Sequence, residues 1–92
     1  MIEDTVTIIK VETEHNNDDY NLTYTLSNDD RYSVSVYVNK NGVQNDPWQL
    51  SIDDGKTFAP APRNKFGNYV MPKVLEDLDE DLEEEIWAHF PD

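Results

Sequence analysis

Residues 71–90 read MPKVLEDLDEDLEEEIWAHF, and this stretch decides the predicted fold. Its large apolar side chains recur every three or four positions, at Met71, Leu75, Leu78, Leu82 and Ile86. This spacing places them in one stripe along a helix, with Val74 and Phe90 at its margins. Pro72 fits the first helical turn, because its fixed φ is helical and its missing N–H would have no partner there. The sequence therefore predicts a single amphipathic α-helix over residues 71–90.

The other side of this predicted helix is strongly acidic. Eight of the ten residues from Glu76 to Glu85 are Asp or Glu. Like charges four residues apart, such as Glu76 and Glu80, each destabilise an isolated helix by about 0.2–0.5 kcal/mol. Residues 83–85 also lie toward the negative end of the predicted helix dipole. Burial of the aliphatic stripe, at about 1.5–3 kcal/mol per side chain, outweighs this repulsion. We therefore expect the helix to form only when it docks on an apolar surface.

The preceding residues predict that surface, an antiparallel β-sheet. Residues 5–12 (TVTIIKVE) are rich in β-branched side chains and are typical of a strand. Their alternation slips between Ile8 and Ile9, which predicts a β-bulge or a strand covered on both faces. Residues 20–26 and 32–38 alternate apolar and polar side chains on either side of a short polar turn. This matched pattern predicts a hairpin with one face buried.

A further strand carries Trp48, Leu50 and Ile52, whose alternation predicts that all three face the interior. The connections are too short for crossover helices, so we expect an antiparallel meander of four or five strands over about residues 4–58. Residues 59–70 contain prolines and a glycine and predict a linker that crosses one sheet face. The predicted helix then covers that face. All 92 residues thus form one two-layer α+β domain.

Residues 51–58, SIDDGKTF, resemble a known local element. The pattern Ser-x-Asp-x-Gly-x-Thr-aromatic is similar to the Asp box, a small hairpin that recurs in sialidase-type propellers and also occurs in unrelated folds. The resemblance implies turn roles for Asp53 and Gly55 and an inward packing role for Phe58. A propeller needs several blades of about four strands each, for which this chain is too short. The resemblance therefore implies the hairpin and none of the glycosidase chemistry.

The composition of the chain limits the classes of partner and the cell compartment that we expect. Twenty Asp and Glu against seven Lys and Arg give a formal net charge of −13. Nucleic acid and anionic membranes bind surfaces that are rich in Lys and Arg, so we expect neither as a direct ligand. A basic protein surface is the partner that agrees with this charge. The absence of cysteine excludes disulfides, thiolate metal sites and thiol nucleophiles. No apolar run reaches the length of a membrane span and no secretory signal is recognisable, so we expect a cytoplasmic location.

Few side chains suit catalysis or metal ligation. His15 lies in a polar segment near Asp18 and Asp19, and a zinc site needs three or four ligands. His89 follows Glu85 by four residues on the predicted helix, where it forms at most half of a metal site. The acidic run lacks the fixed oxygen spacing and central glycine of an EF-hand loop. We therefore expect no catalytic, cofactor or metal site, and no enzymatic activity.

The candidate binding site is the outward side of the predicted helix. Trp87 lies off the apolar stripe, and an aromatic anchor beside carboxylates is typical of a protein interface. The candidate partner-binding residues are Glu76, Asp77, Glu80, Asp81, Glu83, Glu84 and Trp87. In the competing interpretation, Trp87 packs beneath the linker or the last turn, and the acids only keep the domain soluble. Arg63 and Lys65 of the linker would weaken the binding hypothesis if they neutralised these acids internally.

Two function classes agree with this pattern. The first is a non-enzymatic acidic interaction protein whose helix binds a basic protein surface. Closely spaced carboxylates on a rigid helix can imitate a row of phosphates, as in inhibitors of the nucleic-acid-mimic type. The alternative is a structural or assembly domain that self-associates through a sheet edge or its uncharged Ser/Thr face, so the chain is either a monomer or a homodimer. An enzyme acting on a carbohydrate or a metal-dependent substrate ranks third, because only the Asp-box resemblance supports it.

Overall fold

The computed structural model describes residues 6–90, which form an antiparallel sheet with two short helices packed on one face. The six strands are β1 (Ile8–Asn16), β2 (Asp19–Leu26), β3 (Arg31–Asn39), β4 (Gly42–Asn45), β5 (Gln49–Ser51) and β6 (Ala59–Pro60). The helices are α1 (Lys73–Glu80) and α2 (Leu82–His89). The predicted α+β class with an antiparallel sheet is confirmed, and the predicted start of the sheet near residue 4 lies outside the described residues.

The sheet has more strands than the sequence predicts. Its strand order is β1-β2-β3-β5-β6. β4 lies off this path and pairs with the same edge of β3 as β5 does, but with different residues. Residues 36–39 of β3 pair with β4, and residues 31–33 pair with β5. Pro47, between β4 and β5, has no N–H to donate to a strand partner. The prediction of four or five strands was too low because β4 and the two-residue β6 lie in segments predicted as connections.

The first strand contains the predicted irregularity. Ile8 pairs with Leu26 and Lys10 pairs with Thr25, so Ile9 is an extra residue on β1. The Ile9 side chain is 60 % exposed, although it belongs to the most apolar part of the strand. Of the two alternatives that the slipped alternation predicted, the β-bulge is therefore confirmed, and the strand covered on both faces is not found at Ile9.

The core lies between the sheet and the two helices. Even-numbered side chains of β2 and β3 face the helices, as their alternation predicted. The buried apolar residues are Leu22, Tyr24, Leu26, Tyr32, Val34, Val36, Trp48, Ala61, Leu75, Leu82 and Ile86. The other apolar residues of the predicted helical stripe are partly buried and pack against this core. They are Met71, Val74, Leu78 and Phe90. The predicted apolar seam between the C-terminal segment and the sheet is confirmed.

The prediction of a single helix is wrong, because the segment forms two helices that meet at Asp81. Asp81 has φ −122° and ψ 41°, and its N–H donates to the carbonyl of Leu78 at 3.1 Å. In an uninterrupted helix, Asp77, Asp81 and Glu85 would form one row of like charges at four-residue spacing. The break interrupts that row, while the apolar residues on both sides of it stay docked on the sheet.

The break also changes how the helix dipole acts on the acids that follow it. Glu83, Glu84 and Glu85 lie in the first turn of α2, where the positive end of the dipole favours anions. A continuous helix would instead hold them near its negative end. The dipole therefore gives a second physical reason for two short helices in place of one long helix.

Two apolar residues after β5 do not face the interior as predicted. The exposed fraction is 78 % for Ile52 and 38 % for Phe58. The chain leaves the sheet after Ser51 and returns as β6, which pairs antiparallel with β5. The hairpin implied by the Asp-box resemblance is present. The inward packing role of Phe58 is wrong, because residues 52–58 form a loop in which the alternation of a strand no longer applies.

Candidate functional site

Two acidic side chains of the helices point inward and fix the helices to the sheet. The first is Asp79 of α1, whose Oδ1 accepts a hydrogen bond from Trp48 Nε1 at 2.7 Å. Trp48 is fully buried, so its indole N–H would lack a partner without this carboxylate. The sequence does not distinguish Asp79 from its acidic neighbours, because the partner lies 31 residues away in the chain.

The second inward carboxylate is Glu85 of α2. Its Oε2 accepts a hydrogen bond from the Tyr24 hydroxyl at 3.1 Å and lies 2.8 Å from His89 Nε2. Burial of Tyr24, together with the nearby Glu85 carboxylate, raises the pKa of the phenol above its ordinary value of 10.0. The hydroxyl therefore remains protonated in the folded protein and donates to Glu85 over the whole neutral range.

The other six acids of residues 76–85 point into solvent. All six are exposed, and they are Glu76, Asp77, Glu80, Asp81, Glu83 and Glu84. Within the described residues, the only ion pair that involves them joins Lys73 Nζ to Asp77 Oδ1 at 3.7 Å. Both side chains of this pair are mostly exposed, and such a pair contributes about 0–1 kcal/mol. The charge of the outward carboxylates is therefore largely uncompensated.

The cations of the linker are held by aromatic rings of the linker itself. The Arg63 guanidinium carbon lies 4.4 Å from the centroid of the Tyr69 ring, and its Nη2 donates to the Tyr69 hydroxyl at 2.7 Å. Lys65 Nζ lies 5.3 Å from the centroid of the Phe66 ring. Neither cation forms an ion pair with a helix acid among residues 6–90. The internal neutralisation that would weaken the binding hypothesis is thus not found in this part of the chain.

Trp87 is partly exposed and packs on the sheet rather than on the linker. Its exposed fraction is 42 %, and its ring stands edge-on to Tyr20 at a centroid distance of 6.4 Å. Tyr20 also stacks on His15 at 4.3 Å and meets the edge of Phe90 at 5.0 Å. The four rings form an aromatic cluster where the end of α2 meets the β1–β2 turn. Trp87 thus has one packed edge and one part of its surface in solvent.

The break at Asp81 divides the outward acids between two environments. Glu76 and Glu80 of α1 line a shallow cleft of about 360 Å³. The other residues that line this cleft are Gly67, Asn68, Tyr69, Met71 and Asp79. Glu83 and Glu84 lie beyond the break, on the same helix as Trp87. The candidate residues therefore occupy two helices rather than one continuous flank.

A third held carboxylate shapes the loop between β5 and β6. Asp53 accepts hydrogen bonds from the Thr57 hydroxyl at 2.6 Å, the Thr57 N–H at 3.0 Å and the Ser51 hydroxyl at 2.8 Å. These donors, chiefly the Thr57 hydroxyl, lower the pKa of the Asp53 carboxyl from 3.8 to about 2. Gly55 has φ +84°, and a Cβ there would lie 2.5 Å from Arg31 Nη1. The turn roles implied for Asp53 and Gly55 are confirmed.

The sheet edge and the uncharged face are the two surfaces named for self-association. β1 is an outer strand, and its nine residues leave one edge unpaired within the described part of the chain. The bulge at Ile9 and the charged side chains of Lys10, Glu12 and Glu14 oppose pairing with another strand. The edge is therefore exposed but poorly suited to pairing.

On the uncharged face, the polar side chains bond one another. Asn21 Nδ2 donates to Ser35 Oγ at 3.2 Å, and Ser33 Oγ donates to Asn21 Oδ1 at 3.1 Å. These bonds join β2 to β3 across the face. They occupy part of the hydrogen-bonding capacity that a self-association surface would offer.

No family model, curated protein or solved structure matches this chain. The structure itself defines a small α+β domain with an antiparallel sheet and two short helices on one face. Over residues 6–90, no three His, Asp or Glu side chains come together in an arrangement that would hold a metal ion. Neither α1 nor α2 is long and apolar enough to cross a membrane.

Proposed function

We propose that this protein is a small, non-enzymatic interaction protein whose acidic helices bind a basic protein surface. The observation that carries the proposal is the division of the eight acids in residues 76–85. Two of them bond buried side chains, and six face solvent with almost no compensating cation in the described part of the chain. Inhibitors that imitate nucleic acid and occupy the basic cleft of a nucleic-acid-binding protein belong to this class.

The inward bonds support a binding role because they hold the outward carboxylates in fixed positions. Asp79 and Glu85 tie α1 and α2 to buried residues of the sheet. Leu75, Leu82 and Ile86 add apolar contacts along both helices. Charges on an anchored helix lose little conformational freedom when a partner binds, whereas charges on a flexible segment must first be ordered.

The net charge supports rapid encounter with a cationic partner. A formal charge of −13 on 92 residues creates a long-range negative potential. Opposite charge on the partner steers the two proteins together, and dissolved salt screens this attraction over about 8 Å at physiological ionic strength. Binding through the acidic helices must therefore weaken as salt is added.

A binding screen tests the proposal. The protein is titrated into a panel of basic nucleic-acid-binding proteins at low salt and again at about 0.3 M salt. We expect at least one complex that weakens sharply with salt and that duplex DNA displaces. Absence of binding to every member at low salt, or an affinity that salt does not change, would overturn the proposal.

A pair of matched variants locates the binding surface. Glu83→Gln/Glu84→Gln removes two charges from α2, and we expect it to weaken binding about tenfold, or 1.4 kcal/mol. Glu12→Gln/Glu14→Gln removes the same two charges from exposed positions on β1 and should leave the affinity nearly unchanged. Equal losses in both variants would show that only net charge matters and that the helices are not the site.

Self-association is the second proposed function, and the unpaired outer edge of β1 is the observation that favours it. We place it second because the bulge and the charged side chains of that strand oppose edge pairing. Light scattering over a concentration series separates the two functions. A mass of one chain at every concentration would leave no self-assembly through the edge.

A further inference from the structure

We propose that a surface formed by the tip of the linker and α1, which shares Glu76 and Glu80 with the proposed partner-binding site, binds the same surface of another copy of this chain. We call it the loop–helix patch and define it by Arg63, Lys65, Phe66, Glu76 and Glu80. This inference goes beyond the proposed function, because the occupant is a second copy rather than a basic partner. It also differs from edge pairing, because no strand takes part.

The tip of the linker is a pre-formed turn. The Asn64 N–H donates to the Asn68 carbonyl at 2.8 Å, and the Gly67 N–H donates to the Asn64 carbonyl at 3.0 Å. The Asn64 side-chain oxygen accepts hydrogen bonds from Phe66 N–H at 2.8 Å and from Asn68 N–H at 3.2 Å. Gly67 has φ +85°, a conformation that glycine adopts without strain. These four bonds fix the backbone that presents Lys65 and Phe66.

The apolar side chain of Phe66 lies largely in solvent, although the turn that carries it is ordered. Its exposed fraction is 76 %, although hydrogen bonds hold the backbone on both sides of it. The Lys65 ammonium lies over its ring and adds a positive charge beside the apolar surface. An aromatic side chain on a rigid turn loses little freedom on contact and is a typical anchor of protein interfaces.

Charge complementarity identifies the occupant. Glu76, Asp79 and Glu80 line the helix side of the cleft, and residues 67–69 of the linker line its other side. Asp79 is already bonded to Trp48, which leaves Glu76 and Glu80 as the outward anions. Lys65 and Arg63 belong to the same linker turn, and neither pairs with a helix acid within residues 6–90. The linker turn thus presents two cations and the exposed Phe66 ring, and residues 67–69 of the same turn line the cleft on which Glu76 and Glu80 lie. A two-fold axis places the cationic tip of each copy against the anionic helix of the other, which is the self-complementarity that a symmetric dimer needs.

The patch is small, so the expected dimer is weak. Interfaces that bury less than about 1,200 Å² in total are typical of transient complexes. The charge of −13 on each copy also opposes association at low salt. Salt screens this long-range repulsion more strongly than the attraction between charges in close contact across the patch, so the dimer should be measured at about 0.3 M salt.

Sedimentation velocity over a concentration series tests the proposal. The wild-type protein should pass from the mass of one chain to that of two as its concentration rises. Phe66→Ala should weaken the association at least about tenfold, and its far-UV circular dichroism should match the wild type because the removed ring is exposed. A wild-type protein that stays monomeric up to about 1 mM would overturn the proposal, as would a dimer that Phe66→Ala leaves intact.

Charge exchange tests the two-fold arrangement directly. Lys65→Glu alone and Glu76→Lys/Glu80→Lys alone should each abolish the dimer, because like charges then meet across the axis. An equimolar mixture of the two variants should dimerise again, because each copy supplies the charge that the other has lost. Failure of the mixture to dimerise would overturn the proposed geometry.

The matched control is Glu83→Lys/Glu84→Lys, which makes the same change of charge on α2, outside the patch. We expect this variant to dimerise at least as well as the wild type, and loss of its dimer would contradict the assignment of the interface to the patch. The outcome is separable from that of the proposed function. Binding to basic proteins depends on Glu83 and Glu84 and weakens with salt, whereas the dimer requires neither residue and is favoured by screening.

Discussion

Two sets of carboxylates within the same ten residues behave differently. Asp79 and Glu85 bond the buried side chains of Trp48 and Tyr24, whereas the six acids around them face water. The residue types are the same in both sets, and the two inward acids are interspersed with the six outward acids along the chain. Their position relative to the sheet is what separates them. A run of acidic residues is therefore not a functional unit by itself.

The inward set accounts for the docking of a segment that repels itself. Each inward carboxylate supplies an acceptor to a buried donor that would otherwise lose its hydrogen bond to water. The outward set has little structural role of this kind in residues 6–90, which leaves it available for the proposed contacts with a partner. If this division is correct, changes on the inward side alter stability, and changes on the outward side alter binding.

Among single substitutions, the largest effect on stability is expected from the apolar contacts of the inward side. Ile86 of α2 is fully buried, so Ile86→Ala should leave a cavity and lower the free energy of unfolding by about 2–5 kcal/mol. Urea denaturation followed by circular dichroism measures the change. Glu83→Ala, on the exposed side of the same helix, should change stability by no more than about 0.5 kcal/mol. Equal stability of Ile86→Ala and the wild type would contradict docking of α2 on the sheet.

A smaller loss is expected when an inward carboxylate is removed. Asp79→Ala leaves the buried Trp48 indole N–H without its acceptor and should cost about 1–3 kcal/mol of unfolding free energy. Asp79→Asn keeps an acceptor oxygen and should recover part of this loss. Asp77→Ala is the matched control, because it removes only an exposed ion pair worth about 0–1 kcal/mol. If Asp77→Ala were as destabilising as Asp79→Ala, the division between the two sets would fail.

The Tyr24–Glu85 contact predicts a dependence on alkaline pH. Tyr24→Phe should lower the free energy of unfolding at pH 7 by about 0.5–1.5 kcal/mol. The pKa of Tyr24 is raised in the folded state, so the unfolded chain loses this proton first. The contribution of the Tyr24–Glu85 contact to the free energy of unfolding is therefore fully present below the ordinary pKa of 10.0 and is lost as pH rises above that value. Urea denaturation from pH 7 to 11 should show the difference between wild type and Tyr24→Phe shrinking above about pH 10. A difference that grows above that pH would contradict the assigned contact.

The held carboxylate of Asp53 predicts a local effect at acid pH. The pKa of the Asp53 carboxyl is lowered from 3.8 to about 2. The stabilisation of the loop by the ionised carboxylate is therefore present above the ordinary pKa of 3.8 and is lost as pH falls toward 2. Carbon-13 NMR titration of the side-chain carboxyl measures this pKa directly. Thr57→Val removes the hydroxyl donor but keeps the N–H, and the pKa should rise part of the way to 3.8. No rise would show that the Thr57 hydroxyl does not hold the carboxylate.

Local periodicity in the sequence was sufficient to predict much of the fold. The spacing of Leu75, Leu82 and Ile86 predicted their burial, and the slipped alternation between Ile8 and Ile9 predicted a bulge as one of two alternatives. The β2–β3 hairpin followed from two matched alternating patterns and a polar turn. Each of these features depends on residues that are close in sequence, which is why sequence reasoning reached them.

Features that depend on distant contacts or on sums of small terms were not predicted. The inward acids Asp79 and Glu85 bond partners 31 and 61 residues away, so no local pattern distinguishes them from the outward acids. The break at Asp81 follows from several charge and dipole terms of less than about 1 kcal/mol each. The exposure of Ile52 follows from the loop that leaves the sheet after β5. The outward acids were recognised as candidates from the sequence, but their division between two helices was not.

The most direct measurement is the free energy of unfolding of two variants that neutralise opposite sides of the helices. One replaces all six outward acids, as Glu76→Gln, Asp77→Asn, Glu80→Gln, Asp81→Asn, Glu83→Gln and Glu84→Gln. We predict that it stays within about 1 kcal/mol of the wild type, because relieved repulsion and lost dipole interactions nearly offset each other. The other variant, Asp79→Ala/Glu85→Ala, should have a free energy of unfolding about 2–6 kcal/mol lower than that of the wild type. A six-residue variant that is destabilised as much as the inward double variant would contradict the division of the acids into a folding side and a binding side.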